Sequence, residues 1–324
     1  MNQITKKQHY IWRYYLTPWT INNSNEGRIM CLRDNRIFPV SLINIAHENY
    51  FYQVKELSEF EKKMIYEICI KNTSGAQRIA NEGWLSFYCA PYDYADSLTF
   101  LGSSILGYSE QTEIRNKQEF NDWNIEHIEK LHSLIESKNI EHISALRRND
   151  LSFWKDKVKR DQFSFFLSIQ YFRTKNVRDA IVKVFNRFKD QNDSLRDICP
   201  ENIWIPLSLI FASNVGAHIA QFFSAVLLQT NSDFIVGDQP VINTYSTFDE
   251  MIPPKDMEFF YPISPYTALL LTKDQFYSDG QIIKINEDAT AKYNQLERSA
   301  AKEMIFAREK KHLELYLNNE YGNG

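Results

Sequence analysis

The stretch Ile203–Leu228, IWIPLSLIFASNVGAHIAQFFSAVLL, lies within an uncharged run from Asn202 to Ser232. How it is read decides the fold. It is long enough to cross a bilayer as a helix. Pro206, Asn214, His218 and Gln221 interrupt it, and no basic cluster flanks it closely, unlike a typical membrane anchor. The central helix of a protein core has the same apolar character all round. The sequence is therefore read as a soluble protein with no membrane partner, built around a buried helix over about 202–229.

Outward from that helix, Lys117 to Gln229 is dominated by helical signals. Phe120, Ile128, Leu131 and Ile135 keep the spacing of one helix face. Residues 152–175 and 177–190 read as two further helices. Upstream, Ser58-Glu59-Phe60-Glu61 is a capping box that opens a helix to about Lys71, and a second runs over 74–88. Residues 91–112, with Pro91, Asp93, Asp96 and two glycines, read as a long irregular loop. Residues 6–16 form a short helix or an extended arm. Strands are expected over 27–33 and 36–40, turning at Asp34-Asn35, with Pro39 marking an edge. Another short extended run covers 49–54. Beyond the central helix, strands are expected over 233–237, 258–263, 267–272 and 281–285. A helix follows from about 288 to 318, and the tail Asn318–Gly324 is expected to fray.

The fold expected is α+β, mainly α, in one domain over 1–324. A large helical body (58–229 and 288–318) carries a small, mostly antiparallel sheet built from the N-terminal hairpin (27–54) and the C-terminal strands (233–285). With 324 residues, 44% of them hydrophobic, a sizeable core is available. Only 10 Gly and 10 Pro punctuate the chain, which favours long helices.

The formal net charge of −4 gives no general basic surplus of the kind that advertises nucleic-acid binding. Cys31, Cys69, Cys89 and Cys199 form no CxxC pair, so neither a zinc site nor a disulfide framework is expected. Isolated cysteines and an N-terminus without an apolar signal core point to the cytoplasm. Signatures of nucleotide-binding folds, zinc proteases and α/β-hydrolases are missing. No metal or cofactor is expected.

Two Glu-x-x-His pairs, Glu129/His132 and Glu309/His312, have the spacing of helical metal ligands. Both lie among charges and read as solvated helix faces. The basic segment Arg147-Arg148 to Arg160, interleaved with Asp150, Asp156 and Asp161, reads the same way. Arg173 is different. With Gln170 it sits in Phe163–Arg173, a helix that is apolar nearly all round. A buried guanidinium requires an anionic partner, either a carboxylate or a bound ligand. Asn214, His218 and Gln221 form a polar stripe on the central helix that also needs partners. Asp238, at the end of a hydrophobic strand, is the best carboxylate candidate. His9 is the proton-active group of the N-terminal segment.

Taken together, these positions resemble the domain-of-unknown-function family numbered 4238. Its opening element matches Gln8-His9-Tyr10-Ile11-Trp12-Arg13-Tyr14-Tyr15-Leu16, with Trp12 in place of a proline. Its Q-x-x-R-T element matches Gln170-Tyr171-Phe172-Arg173-Thr174. Further elements match Gly237-Asp238-Gln239-Pro240-Val241, Pro262-Ile263-Ser264-Pro265, and a helix bearing Asn294 and Ala300-Ala301. The resemblance spans about residues 7–307. The family's members are bacterial, and the resemblance carries over no catalytic role.

Three functions follow from the residues. The first is an enzyme acting on a phosphodiester or another anionic substrate, a metal-independent nuclease; the toxin or antiviral-defence setting expected for it comes from bacterial context and not from the residues. In it His9 is general base or acid, Arg173 and Arg13 hold the phosphate, Gln170, Asn214 and His218 contact substrate, and Asp238 orients His9 or Arg173. Its partner would be nucleic acid or an anionic small molecule. The second is a sensor that binds such a molecule without turnover. The third is a structural Arg173–Asp238 ion pair. The site readings share one spatial expectation: the N-terminal segment folds back to bring His9 to Gln170, Arg173 and Asp238.

Overall fold

The computed structural model describes residues 4–21, 26–101, 110–249 and 251–317. The chain opens with β1 (Lys7–His9) and the single turn α1 (Arg13–Leu16). The hairpin β2 (Arg28–Arg33) and β3 (Arg36–Ser41) follows, and β4 (His47–Asn49) returns to pair with β1. Then come α2 (Glu59–Cys69), α3 (Gly75–Leu101), α4 (Glu110–Arg147), α5 (Lys157–Phe172), α6 (Lys175–Gln191) and α7 (Pro200–Phe222). The last third holds β5 (Ser224–Gln229), β6 (Val236–Gly237), β7 (Ile242–Asn243), β8 (Phe259–Ser264), β9 (Thr267–Thr272), β10 (Gln281–Lys284), α8 (Glu287–Ala300), β11 (Ile305–Ala307) and α9 (Lys311–Glu314). The class is α+β, mainly α.

Among the described residues the strands divide into three sheets. One is the β1–β4 pair. A second, in the order β3-β2-β11-β6, joins the N-terminal hairpin to two C-terminal strands. The third, in the order β10-β5-β9-β8-β7, is antiparallel except where β10 runs parallel to β5. The expected hairpin-to-C-terminus sheet therefore exists, but most of strands 224–284 belong to a different one. Sequence patterning marks which segments are strands and not which ones pair.

Local signals explain the element ends. Ser58 and Glu61 form the capping box of α2. Asp34 and Asn35 both adopt positive φ, 49° and 56°, as the two-residue turn of a right-twisted hairpin requires. Pro39 lies on β3, an edge strand, where its missing N–H interrupts no ladder. Asp156 accepts from the N–H groups of Val158 and Lys159 and starts α5 afresh after a 3-10 turn at Ser152–Lys155. Helices α5 and α6 divide at Arg173 and Thr174, the latter capping α6.

Three expected spans change. Residues 91–101 are helical, a continuation of α3 through Pro91, and 102–109 lie outside the described residues. Pro91 removes the N–H that would bond the Phe87 carbonyl, and His127 Nε2 donates to that carbonyl at 2.7 Å instead. Trp123 Nε1 donates to His127 Nδ1 at 3.0 Å, which leaves the proton on Nε2 as this contact requires. The same device carries α7 past Pro206. Tyr88 Oη donates to the freed Asn202 carbonyl at 3.2 Å. Helix α7 ends at Phe222, and its expected last turns are β5. The expected helix over 288–318 is broken after Ala300 by a turn and β11, and the tail 318–324 lies outside the described residues.

Helix α7 has the length and composition of a membrane span, and 67% of its apolar window is buried inside the protein. It packs closely on α5. A Cβ on Gly216 would sit 2.9 Å from Phe165 Cα, so only glycine allows that approach.

Candidate functional site

The N-terminal segment is threaded through the body. Tyr10, Ile11, Tyr15, Leu16 and Trp19 are at most 2% exposed. Two polar side chains fasten it. Gln8 on β1 donates from Nε2 to the Ile125 carbonyl at 2.7 Å and accepts from the Tyr52 N–H at 2.6 Å. Arg147, expected on a solvated face, turns inward and donates from Nη2 to the carbonyls of Tyr14 and Tyr15, both at 3.1 Å, with its guanidinium 4.7 Å from the Tyr14 ring centre.

These clamps set His9 near the inner face of α4. His9 is half-buried, and its ring meets that of His47, its partner across β1 and β4, edge-on at 5.4 Å. Burial and then the nearby Arg13 push its pKa down to about 4. Its imidazole is thus neutral at pH 7, and Nε2 is buried with no hydrogen-bond partner. Arg13 is exposed, at the solvent side of the same group, and acts electrostatically on His9, Glu129 and Glu136.

The α4 side of the group overturns an expectation. Glu129 and His132 do not form a solvated face. His132 is 3% exposed, edge-on to the Tyr52 ring at 4.4 Å, and burial followed by Arg173 keeps it neutral. Burial raises Glu129 to about 7 although Arg173 pulls it down. Glu129 Oε2 and His132 Nδ1 have no hydrogen-bond partner. The signal was available. Ile125, Ile128, His132, Ile135, Asn139, His142, Ile143 and Leu146 are all buried and make one inward stripe at helical spacing. His132 lies in that stripe, four residues after Ile128, and Glu129 and Glu136 flank it.

Arg173, at the end of α5, is 3% exposed and has the anionic partner its burial demands. That partner is Glu136, at 2.5 Å, and not Asp238. The expected Arg173–Asp238 pair does not form. Tyr52 Oη donates to the Arg173 carbonyl at 2.8 Å. Arg173 Nε and Gln170 Nε2 are buried without hydrogen-bond partners. A void of about 10 Å³ beside Arg173, lined by residues that include Tyr52, His132 and Trp204, is the size of one water molecule.

Asp238 has a different task. Its carboxylate accepts from the backbone N–H groups of Lys302, Glu303 and Met304 at 2.6, 2.8 and 3.2 Å, and its own N–H donates to the Met304 carbonyl. Burial raises it to about 6 against the pull of those N–H groups. It fastens the turn between α8 and β11 to β6 and orients neither His9 nor Arg173. Asn214 and His218 are likewise elsewhere. Asn214 accepts from Gln77 Nε2 at 3.3 Å, and the His218 ring lies 4.8 Å from that of Phe222. Both are half-buried because α7 turns this stripe away from its fully buried face.

The structure thus gathers His9, Arg13, Gln170 and Arg173, adds Glu129, His132 and Glu136, and leaves out Asp238, Asn214 and His218. A profile of the family described as "Protein of unknown function (DUF4238)" matches residues 7–311. The chain belongs to this family. No curated protein and no solved structure matches it. Several elements of the family resemblance are structural fastenings. Gln239 accepts from Thr174 Oγ1 and donates to the Tyr171 and Val241 carbonyls at 3.1 and 2.9 Å. Asn294 accepts from the Ile235 N–H and donates to the Asp233 carbonyl, both at 3.0 Å. His9, Tyr15, Gln170 and Arg173 are the ones that present buried polar atoms without a hydrogen-bond partner. Among the described residues, no group of three or more His, Cys, Asp or Glu side chains is placed to hold a metal ion.

Proposed function

We propose that the chain is an enzyme that cleaves phosphodiester bonds by proton transfer without a metal ion, acting as a bacterial effector ribonuclease. One observation carries this reading. Two proton-active groups of opposite protonation, His9 and Glu129, act beside the same buried guanidinium, Arg173. Groups whose pKa values are pushed apart in this way are natural acid and base partners.

The 2′-hydroxyl of RNA is a nucleophile already placed within the substrate, which a proton-transfer mechanism can use without a metal ion. His9, neutral above about pH 4, takes the 2′-hydroxyl proton at Nε2. The 2′-oxygen bonds to phosphorus, the bond from phosphorus to the 5′-oxygen breaks, and Glu129 gives its proton to that leaving oxygen. The products are a 2′,3′-cyclic phosphate and a 5′-hydroxyl. Arg13, exposed on the solvent side, meets the phosphoryl oxygens, and Arg173, buried and held by Glu136, adds its positive charge from behind the site. Substrate approaches from the exposed Arg13 side.

The test is the pH–rate profile of the pure protein on RNA and DNA oligonucleotides in the presence of EDTA. RNA cleavage should be bell-shaped, rising near pH 4 and falling near pH 7. His9→Gln should remove the acid limb and Glu129→Gln the alkaline limb, each lowering the rate about 100-fold or more. RNA cleavage unchanged in both variants would sink the assignment. The exposed Arg13 beside the neutral His9 favours a second reading, a sensor for a small anionic molecule. In that case no turnover is seen and Arg13→Gln weakens anion binding.

A further inference from the structure

A second cleft lies away from this cluster and shares no residue with it. It has a volume of about 720 Å³ and is formed by α3, α5 and α7, within the range of small-molecule sites. Trp84 and Phe165 line it, their rings stacked at 5.4 Å and 24°. Ala217 and Ala220 of α7 leave space opposite them, and the close Gly216–Phe165 contact holds the two helices in fixed relation. The exposed Lys157 and half-buried Arg160, from the first turn of α5, bring two positive charges to the same cleft against the one negative charge of Asp161, and Gln221 brings an amide.

Neither cation is held in an ion pair. Among the described residues neither Lys157 nor Arg160 has a carboxylate at ion-pair distance, and Arg160 Nε is buried with no hydrogen-bond partner. Half-buried cations elsewhere find partners, either a carboxylate, as Lys175 with Glu303, Arg178 with Glu48 and Arg308 with Asp233, or backbone carbonyls, as Arg147 and Lys189 do. An aromatic surface beside unpaired cations matches a ligand that carries a flat ring and an anion together. The ring packs on Trp84 and Phe165, the anion takes the guanidinium and ammonium donors, and the Gln221 amide meets polar atoms on the ring edge.

We propose that this cleft binds a nucleoside monophosphate. The test is calorimetric titration of the full chain with AMP, GMP, CMP and UMP, with adenosine and inorganic phosphate as separate arms. Saturable binding of at least one nucleotide is expected. Adenosine and phosphate alone should each bind about tenfold more weakly than AMP, the loss expected when one charge-assisted contact or the stacking is missing. Arg160→Gln should weaken nucleotide binding about tenfold. Ala217→Trp, at an exposed position that fills the cleft, should abolish it while leaving the melting temperature in place. Nucleotide binding that survives Ala217→Trp, or no saturable binding of any of the four nucleotides at about 1 mM, overturns the proposal. Because His9 and Glu129 lie outside the cleft, this result is independent of the cleavage assay.

Discussion

Replacing Arg173 by methionine keeps most of the side-chain volume and removes the charge that Glu136 and Glu129 face. Glu136, 15% exposed, is left without its 2.5 Å partner. Breaking a buried pair by removing one member costs about 3–5 kcal/mol. Water that reaches Glu136 favours the lower end of that range, about 3 kcal/mol. With a urea m-value of roughly 3 kcal/mol/M for a chain of this size, the unfolding midpoint should fall by about 1 M. Glu129 adds little to the loss, because without the guanidinium its pKa rises further and it keeps its proton at neutral pH. Glu136→Gln alone should cost less than Arg173→Met, since Glu129 remains to ionise beside Arg173. The double variant should recover about 2 kcal/mol relative to the sum of the two single changes. The assay is urea unfolding of the four proteins at pH 7, followed by circular dichroism and tryptophan fluorescence. A loss below about 1 kcal/mol for Arg173→Met, or additive single changes, would refute the pairing as the reason Arg173 is tolerated in the core.

Two further outcomes check the same account. Glu129 binds its proton more tightly in the folded chain, near pH 7, than its ordinary value of 4.5. Its contribution to stability is therefore fully present below about pH 4.5 and is lost as pH rises through about 7. The stability of the wild type relative to Glu129→Gln should decline across that window, and a flat difference would contradict the burial of Glu129. Asp238→Asn offers one acceptor oxygen where the carboxylate serves three N–H groups. It should cost about 2–4 kcal/mol. Amide exchange at residues 302–304 should accelerate in this variant, and unchanged exchange there would remove Asp238 from its structural role.

The opening motif shows how unevenly sequence reports on a site. That Arg173 must meet an anion was legible, because burial of the apolar helix around it is a local pattern. Which anion it meets was not. Asp238 looked suitable because it follows a strand, yet three backbone N–H groups that arrive after α8 already occupy it. Glu129 and His132 looked solvated because their neighbours Glu126, Lys130 and Glu136 are charged. The inward stripe from Ile125 to Leu146 would have found His132, whereas the depth of Glu129 depends on β1 lying over α4, which the Gln8 clamp settles.

The sequence by itself determined what short-range chemistry controls. It placed the capping box at Ser58 and Glu61, the left-handed turn at Asp34-Asn35, the edge position of Pro39, and a mainly helical chain around the uncharged helix. These depend on neighbours a few residues apart. Only the tertiary structure decided how helices α3 and α7 pass their prolines and which carboxylate holds Arg173. Pro91 is tolerated because His127, 40 residues from Phe87, takes the freed carbonyl, and Pro206 because Tyr88, 114 residues from Asn202, does the same. A backbone acceptor released inside a helix must be satisfied from somewhere, and here the donor comes from a part of the chain that only folding brings near.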